Sequence, residues 1–161
     1  MVRPAKIEDI PRIAEIIVFG KRVAYRPIFK DDQVSFNEIQ VIGLANEYIK
    51  DSHKLDSMLV YDDGIVKGVV NHIDYGDEIE LCDFYVDPFF TGEGFGRELL
   101  WAFIKRAQAE GKKKVFCWVV KDNLSARRFY ERNGFKASGQ ERLIDGTKVW
   151  DVHYEKFINH G

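Results

Sequence analysis

Residues 80–120 restrict the fold of this chain more than any other stretch. "ELCDFYV" (80–86) is an apolar run of strand type, three glycines follow at alternate positions in "TGEGFGRELL" (91–100), and "KVFCWVV" (114–120) is a second strand-like run. Between them, Phe95 to Ala109 places Leu99, Leu100, Phe103, Ile104 and Ala107 on one helical face, with Gly111 just past its end. A strand, a helix and a second strand in this order form a unit whose strands pair in parallel. The chain is therefore read as α/β.

The remaining sequence adds antiparallel strands and further helices around that unit. "VRP" (2–4) starts a short strand, and Ile7 to about Phe19 carries Ile10, Ile13, Ile16 and Ile17 at helical spacing, with Asp9 and Pro11 in the first turn. A second helix is expected over 35–51: Ser35 and Glu38 stand at capping-box spacing, and Ile39, Ile42 and Tyr48 or Ile49 share a face. Met58–Tyr61, Ile65–Asp74 and Glu78–Val86 read as three strands of an antiparallel meander, joined by the turns "DDG" and "YGD". Ser125 to Asn133 reads as a short helix stopped by Gly134, and the tail gives two strands around Asp145–Gly146. The expected architecture is a mixed, mostly antiparallel sheet of six to seven strands with a central parallel pair and about four helices. No repeat, low-complexity tract or linker divides it, so residues 1–161 are expected to form a single domain.

Composition narrows the partners. A formal net charge of −2 with 31% charged residues points to neither nucleic acid nor a membrane surface as the main partner. The segment "MVRPAKIEDIPRIAEI" has scattered charges and no leader-like apolar core, which leads to a cytoplasmic expectation. Cys82 and Cys117 each fall in a strand-like apolar run and are expected as buried, reduced thiols. His53, His153 and His160 show no metal-ligand spacing with one another or with the cysteines, so no metal is expected.

Glycines at a strand end and helix start suit an anion, because unpaired backbone N–H groups and the positive end of the helix dipole point there together. The Walker loop is excluded, since Gly96 is followed by Arg97 and Glu98. The dinucleotide fingerprint is excluded too, since it requires glycine at Leu99 or Arg97. A plain tight turn would fit the three glycines alone equally well. A second segment changes the weighting: "VVKDNLSARRFYERNGF" (119–135) joins Asn123 at a strand end to a helix carrying Phe129 and Tyr130, closed by Gly134 and Phe135. In a parallel unit the two strand ends lie on the same side of the sheet.

Together these residues resemble the GCN5-related N-acetyltransferase family. "CDFYVDPFFTGEGFGRELL" is similar to the family's strand and acyl-CoA loop, [Q/R]-x-x-G-x-[G/A], and "NLSARRFYERNGF" to its N-x-x-A-x-x-F-Y-x-x-x-G-F segment; the start "VRPAKIEDIPRIAEI" is also typical. One departure is Thr91, where the family usually has Gln or Arg; that position binds phosphate largely through its backbone.

The resemblance implies acetyl-CoA as cosubstrate and direct acetyl transfer to the primary amine of a small molecule or peptide, with a non-catalytic acetyl-CoA sensor as the alternative. It implies pyrophosphate on the N–H groups of Thr91, Gly92, Glu93, Gly94, Phe95, Gly96 and Arg97, and pantetheine along Phe84, Tyr85 and Val86, with Asn123 and Ala126 beside it. Tyr130 matches the tyrosine that protonates the departing thiolate, although packing beside Phe129 would also explain it; Asn123 could equally be a helix cap. For the base that deprotonates the amine, Glu80 comes first, Asp83 second and His72 behind them, each with an ordinary structural explanation beside it. Strict alternation puts Glu80, Cys82 and Phe84 on one face and Leu81, Asp83 and Tyr85 on the other. Lys105, Arg106, Glu110 and Lys112–Lys114 read as a solvated face. Tyr25, Phe29, Asp31, Asp32, Tyr75, Trp118 and Trp150 would suit a cationic amine, although core and surface positions with no ligand role explain most of them better. Trp118 stands where some protein-acetylating relatives carry a catalytic Glu. Family members are often homodimers, which is the expected assembly if any.

Overall fold

The computed structural model describes residues 1–158. Seven strands form one mixed sheet: β1 (Val2–Pro4), β2 (Met58–Asp62), β3 (Val66–Asp74), β4 (Glu78–Val86), β5 (Lys114–Val120), β6 (Lys136–Leu143) and β7 (Trp150–Phe157), in the order β1-β2-β3-β4-β5-β7-β6. The helices are α1 (Ile10–Phe29), α2 (Val41–Lys50), α3 (Phe95–Ala109) and α4 (Leu124–Arg132), with a π-helical stretch at Gln33–Glu38. β4 and β5 are the expected parallel pair, Glu78 to Leu81 lying opposite Lys114 to Cys117. The pairings β1–β2, β2–β3, β5–β7 and β6–β7 are antiparallel.

The described chain packs as two compact units that interleave in sequence. Unit 1 takes Met1–His72 and Asp83–Phe103; unit 2 takes Ile73–Cys82 and the chain from Ile104 onward.

Unit 1 is built on α1, whose Ile10, Ile13, Ile16 and Ile17 pack with Tyr48, Met58, Val60 and Val69. This helix runs ten residues beyond the Phe19 end expected from sequence. Gly20, inside the helix, is a contact point: a Cβ there would lie 2.6 Å from Tyr85 Cδ1. The helix ends at Lys30, in the left-handed conformation at φ 54°.

The expected helix over 35–51 is corrected as well. Ser35 and Glu38 form no capping box; they lie in the π-helical stretch, and α2 starts only at Val41. Tertiary bonds outweigh the local cap here. Arg22 Nε donates to Ser35 O (2.9 Å) and Nη2 to Ile39 O (3.0 Å), while its guanidinium lies 5.1 Å from the Phe36 ring centroid. The late start rotates α2, so Leu44, Ala45 and Tyr48 face the core and Ile42 and Ile49 are exposed.

In unit 2 one face of the sheet is a core of Val115, Cys117, Val119, Val152 and Tyr154, buried with Tyr130 and Phe135. The opposite face presents Phe116 and Trp118, both only half-buried. Cys82 is exposed, contrary to the expectation of a buried thiol. Burial alternates along β4 from Glu78 to Leu81, and Asp83 to Val86 are all half-buried.

Candidate active site

Unit 1 supplies the glycine loop. Asp87 opens it: its carboxylate accepts from Phe89 N (2.9 Å) and from Arg12 Nη2 (2.9 Å), fixing the Pro88–Phe90 turn. Lys67 Nζ stands 4.5 Å from the Phe90 ring centroid and 4.9 Å from that of Phe95, and Tyr61 stacks on Phe95 at 4.6 Å. Both flanks of the loop are thereby held by side chains. Gly92 and Gly94 sit at φ 81° and 86°, a region that disfavours other residues, and a Cβ at either would meet no atom within 4 Å. Backbone conformation, not crowding, therefore requires glycine there. Gly94 O accepts the first helical bond, from Glu98 N (3.1 Å), and no backbone N–H from Gly92 to Arg97 donates to another group among the described residues. Thr91 Oγ1 donates to Pro88 O, and Thr91, Glu93 and Arg97 are exposed. Main-chain donors at the start of α3, with the positive end of its dipole behind them, form an arrangement that suits an anion.

The strand end leading into the loop is also in unit 1. Tyr85 rests on Gly20, and its hydroxyl lies 3.4 Å from that of Tyr25. A Cβ on Gly68 would lie 3.3 Å from Leu99 Cδ2 and in ordinary contact with Tyr85 O (3.4 Å) and Val86 Cγ2 (3.6 Å). Asp83 accepts a long bond from Asn71 Nδ2 (3.5 Å). His72 stacks on Phe103 at 5.3 Å with Nδ1 2.8 Å from Ser57 O, a packing role. Arg26 pairs with Asp32 at 2.8 Å, and Asp31 accepts from Val34 N, so neither acid stands as an unengaged anion.

Unit 2 supplies Asn123, Ala126 and Tyr130. Asn123 Oδ1 accepts from Ala126 N (3.2 Å), capping α4, and this orients its Nδ2 away from the helix. Tyr130 is buried, edge-on to Phe129 and Phe135 at 5.4 and 5.2 Å and 6.4 Å from Tyr154. Its hydroxyl shares a hydrogen bond with the Cys117 thiol, which burial pushes up to about 12. Cys117 is therefore a neutral partner of the phenol throughout the physiological range. Arg106 pairs with Glu110 on an exposed face, while Lys112, paired with Asp74, and Lys114, paired with Glu78 and Glu155, have mostly buried side chains, which corrects the solvated reading for those two.

Glu80 lies on the half-exposed face of unit 2, in a setting that sequence reasoning did not anticipate. Its carboxylate accepts from Tyr75 OH (3.3 Å), and Tyr75 stacks on Phe116 at 6.0 Å. The acid raises the Tyr75 phenol above its ordinary value by charge repulsion of the phenolate. Register across the strands places Glu80 opposite Phe116, and Trp118 opposite His153. His153 is buried against Phe116 and Trp118, centroids 5.3 and 5.0 Å away, with Nδ1 2.7 Å from Ser138 Oγ. A break in the β6–β7 register between Ala137 and Glu141, with Gly139 at φ 93°, turns Ser138 toward it. Burial lowers the His153 imidazole below its ordinary value, so it is neutral at pH 7. Arg142 completes the face, Cζ 4.2 Å from the Trp118 ring centroid and Nε 3.2 Å from Asp151 Oδ2. The polar alternation Asp151, His153, Glu155 along β7 is the one sequence signal that marked this face.

Among the described residues no group of three or more His, Cys, Asp and Glu is placed to hold a metal ion; His160 lies outside those residues.

Comparison with known proteins gives a match between residues 23–135 and the model of the acetyltransferase (GNAT) family. A spermine/spermidine N(1)-acetyltransferase of Bacillus subtilis is 26% identical over 136 residues, covering 77% of this chain and 89% of that protein. An uncharacterised N-acetyltransferase of Methanocaldococcus jannaschii is 34% identical over 67 residues, 42% of this chain but only 30% of that longer protein. Among solved structures, an N-acetyltransferase from Thermoplasma acidophilum in complex with coenzyme A superposes with a TM-score of 0.76 at 23% identity, covering 98% of each chain.

Proposed function

From the premise that this chain belongs to the acetyltransferase (GNAT) family, we propose that it is an acetyl-CoA-dependent N-acetyltransferase that passes the acetyl group directly to a primary amine. The supporting observation is the run of undirected backbone N–H groups from Gly92 to Arg97 at the start of α3, a donor set that suits a pyrophosphate. Acetyl-CoA supplies the activated acyl thioester.

The chain's own residues divide the remaining work. The N–H groups of Thr91 to Arg97 hold the pyrophosphate, and the backbone of Phe84 to Val86 lies along the pantetheine arm as an adjoining strand. A backbone N–H of Tyr85 or Val86 donates to the thioester oxygen, where negative charge grows as the amine attacks. Asn123 Nδ2 and Ala126 meet the arm, the Asn side chain being held by its capping bond. Tyr130 gives its phenolic proton to the departing thiolate, and Cys117 remains a protonated neighbour of that phenol. Glu80, with Asp83 as the second choice, takes a proton from the acceptor ammonium, and the free amine so formed attacks the thioester. The acceptor class that best fits an acid beside aromatic rings is a small cationic alkylamine. No helix of the described residues is long and apolar enough to cross a membrane.

Thiol release from acetyl-CoA, measured across alkylamines, polyamines, amino acids, aminoglycosides and peptide N-termini, tests the proposal. Turnover is expected with at least one class, and Tyr130→Phe should lower kcat about 100-fold while leaving acetyl-CoA binding in place. Full turnover by that variant would remove Tyr130 from its role. Acetyl-CoA binding without thiol release in any mixture would favour a sensor instead.

A further inference from the structure

We propose that the half-exposed face of unit 2 holds two alkylammonium positions, one open at Glu80 and one filled by the protein's own Arg142, so that Arg142 selects acceptors with a single ammonium over diamines. This deepens the acetyltransferase reading by naming how the acceptor is chosen, and it rests on that reading only for what happens to the bound amine.

Tyr75, Phe116, His153 and Trp118 follow one another at centroid spacings of 6.0, 5.3 and 5.0 Å, a row of rings in which His153 is buried and the other three reach solvent. At one end stands Glu80, which accepts a hydrogen bond from Tyr75 and has no ion-pair partner among the described residues. Lys114, on the same face, is already held by Glu78 (2.8 Å) and Glu155 (3.3 Å). An unneutralised carboxylate beside aromatic faces is the arrangement that attracts an organic ammonium.

The other end already contains such a cation. The Arg142 guanidinium lies 4.2 Å from the Trp118 centroid and is tethered to the mostly buried Asp151 carboxylate, while the arginine side chain itself is 54% exposed. A guanidinium on an indole face with an acid behind it is chemically what a bound alkylammonium would be. Between the two ends, His153 is neutral at pH 7 and does not repel a cation from the centre. An amine held at Glu80 can therefore lay its carbon chain over Phe116, but a second ammonium directed at Trp118 meets Arg142. The half-exposed position of Arg142 makes it removable without opening the core.

The matched probes are n-butylamine and 1,4-diaminobutane, compared by equilibrium binding and by the KM for thiol release in the wild type, Arg142→Ala and Arg142→Ala/Trp118→Leu. Removing Arg142 should improve diamine affinity about tenfold relative to the monoamine, because it frees both the indole face and Asp151. The KM for acetyl-CoA should not move. Adding Trp118→Leu should cancel most of that gain, and Arg142→Lys should behave like the wild type. An unchanged diamine-to-monoamine ratio in Arg142→Ala would overturn the inference. So would failure of both probes to bind either protein; thiol release with other amines would then leave the acetyltransferase reading standing by itself.

Discussion

The sites proposed in the two units are built by different physics. Unit 1 offers main chain: glycines at positive φ, a helix start and N–H groups without acceptors, with an exposed acid, Glu93, in the middle of the loop. Unit 2 offers side chains: an acid, aromatic rings from β5, a neutral imidazole and an arginine from β6. A backbone cradle tolerates changes in side-chain charge and fails when its conformation is disturbed. A side-chain face behaves the other way, since its selectivity lies in which groups the strand register brings together.

The largest effect should come from the packing beneath the cradle. Gly20→Ala drives a methyl group into Tyr85 and should cost about 1–3 kcal/mol of stability by overpacking. Because Tyr85 lies on the strand end proposed to adjoin the pantetheine arm, KM for acetyl-CoA should rise as well. Gly43→Ala is the control. It lies in α2 with nothing near its Cβ, and by limiting the unfolded chain it should stabilise by about 0.4–1 kcal/mol. Equal melting shifts for the two variants would show that Gly20 is not a contact residue.

The next effect distinguishes the face of unit 2 by pH. Burial places the folded-state value of His153 below the unfolded one, so both states are neutral above about pH 6.5. As pH falls through that value the unfolded chain gains a proton that the folded chain refuses, and stability declines. Denaturant titrations at pH 7.5 and 5.5 should show this loss in the wild type and a smaller one in His153→Gln. The depressed carboxylates, including Asp9 held down by Arg3, act only at lower pH: their stabilisation is present above the ordinary carboxylate value and lost as pH falls toward the folded one. Identical slopes in the two proteins would place His153 outside the buried aromatic setting.

The smallest expected effect is at the loop's exposed acid. Glu93→Lys should tighten acetyl-CoA about two- to threefold at low ionic strength, an advantage that salt removes. An order-of-magnitude loss would mean that the Glu93 side chain has a positional role in the loop.

The same contrast governs what could be read from sequence. The glycine loop, the five-residue apolar face of α3 and the limits of β5 are all local patterns, and the structure has them where they were expected. The end of α1 was placed ten residues short, at Phe19; Gly20, inside the helix, is there for a contact with Tyr85, sixty-odd residues away in sequence. The Ser35–Glu38 cap was misread because Arg22 claims the backbone of that segment. Cys82 was misread because an apolar neighbourhood in sequence does not say which side of β4 a thiol lies on. The Glu80–Trp118–Arg142 face could not be assembled, since it depends on the β5–β7 register and on a break in β6 that brings Ser138 to His153.

One paired measurement tests the division between the units directly: the acetyl-CoA dissociation constant and the amine KM, each determined for Gly94→Ala in the loop and Glu80→Gln on the face. Gly94→Ala forces an L residue into φ 86° and should weaken acetyl-CoA about tenfold with the amine KM nearly unchanged. Glu80→Gln should leave acetyl-CoA binding intact and lower kcat/KM for the amine at least tenfold. If either variant disturbs the other ligand as much as its own, the separation of a backbone cradle from a side-chain acceptor face is contradicted.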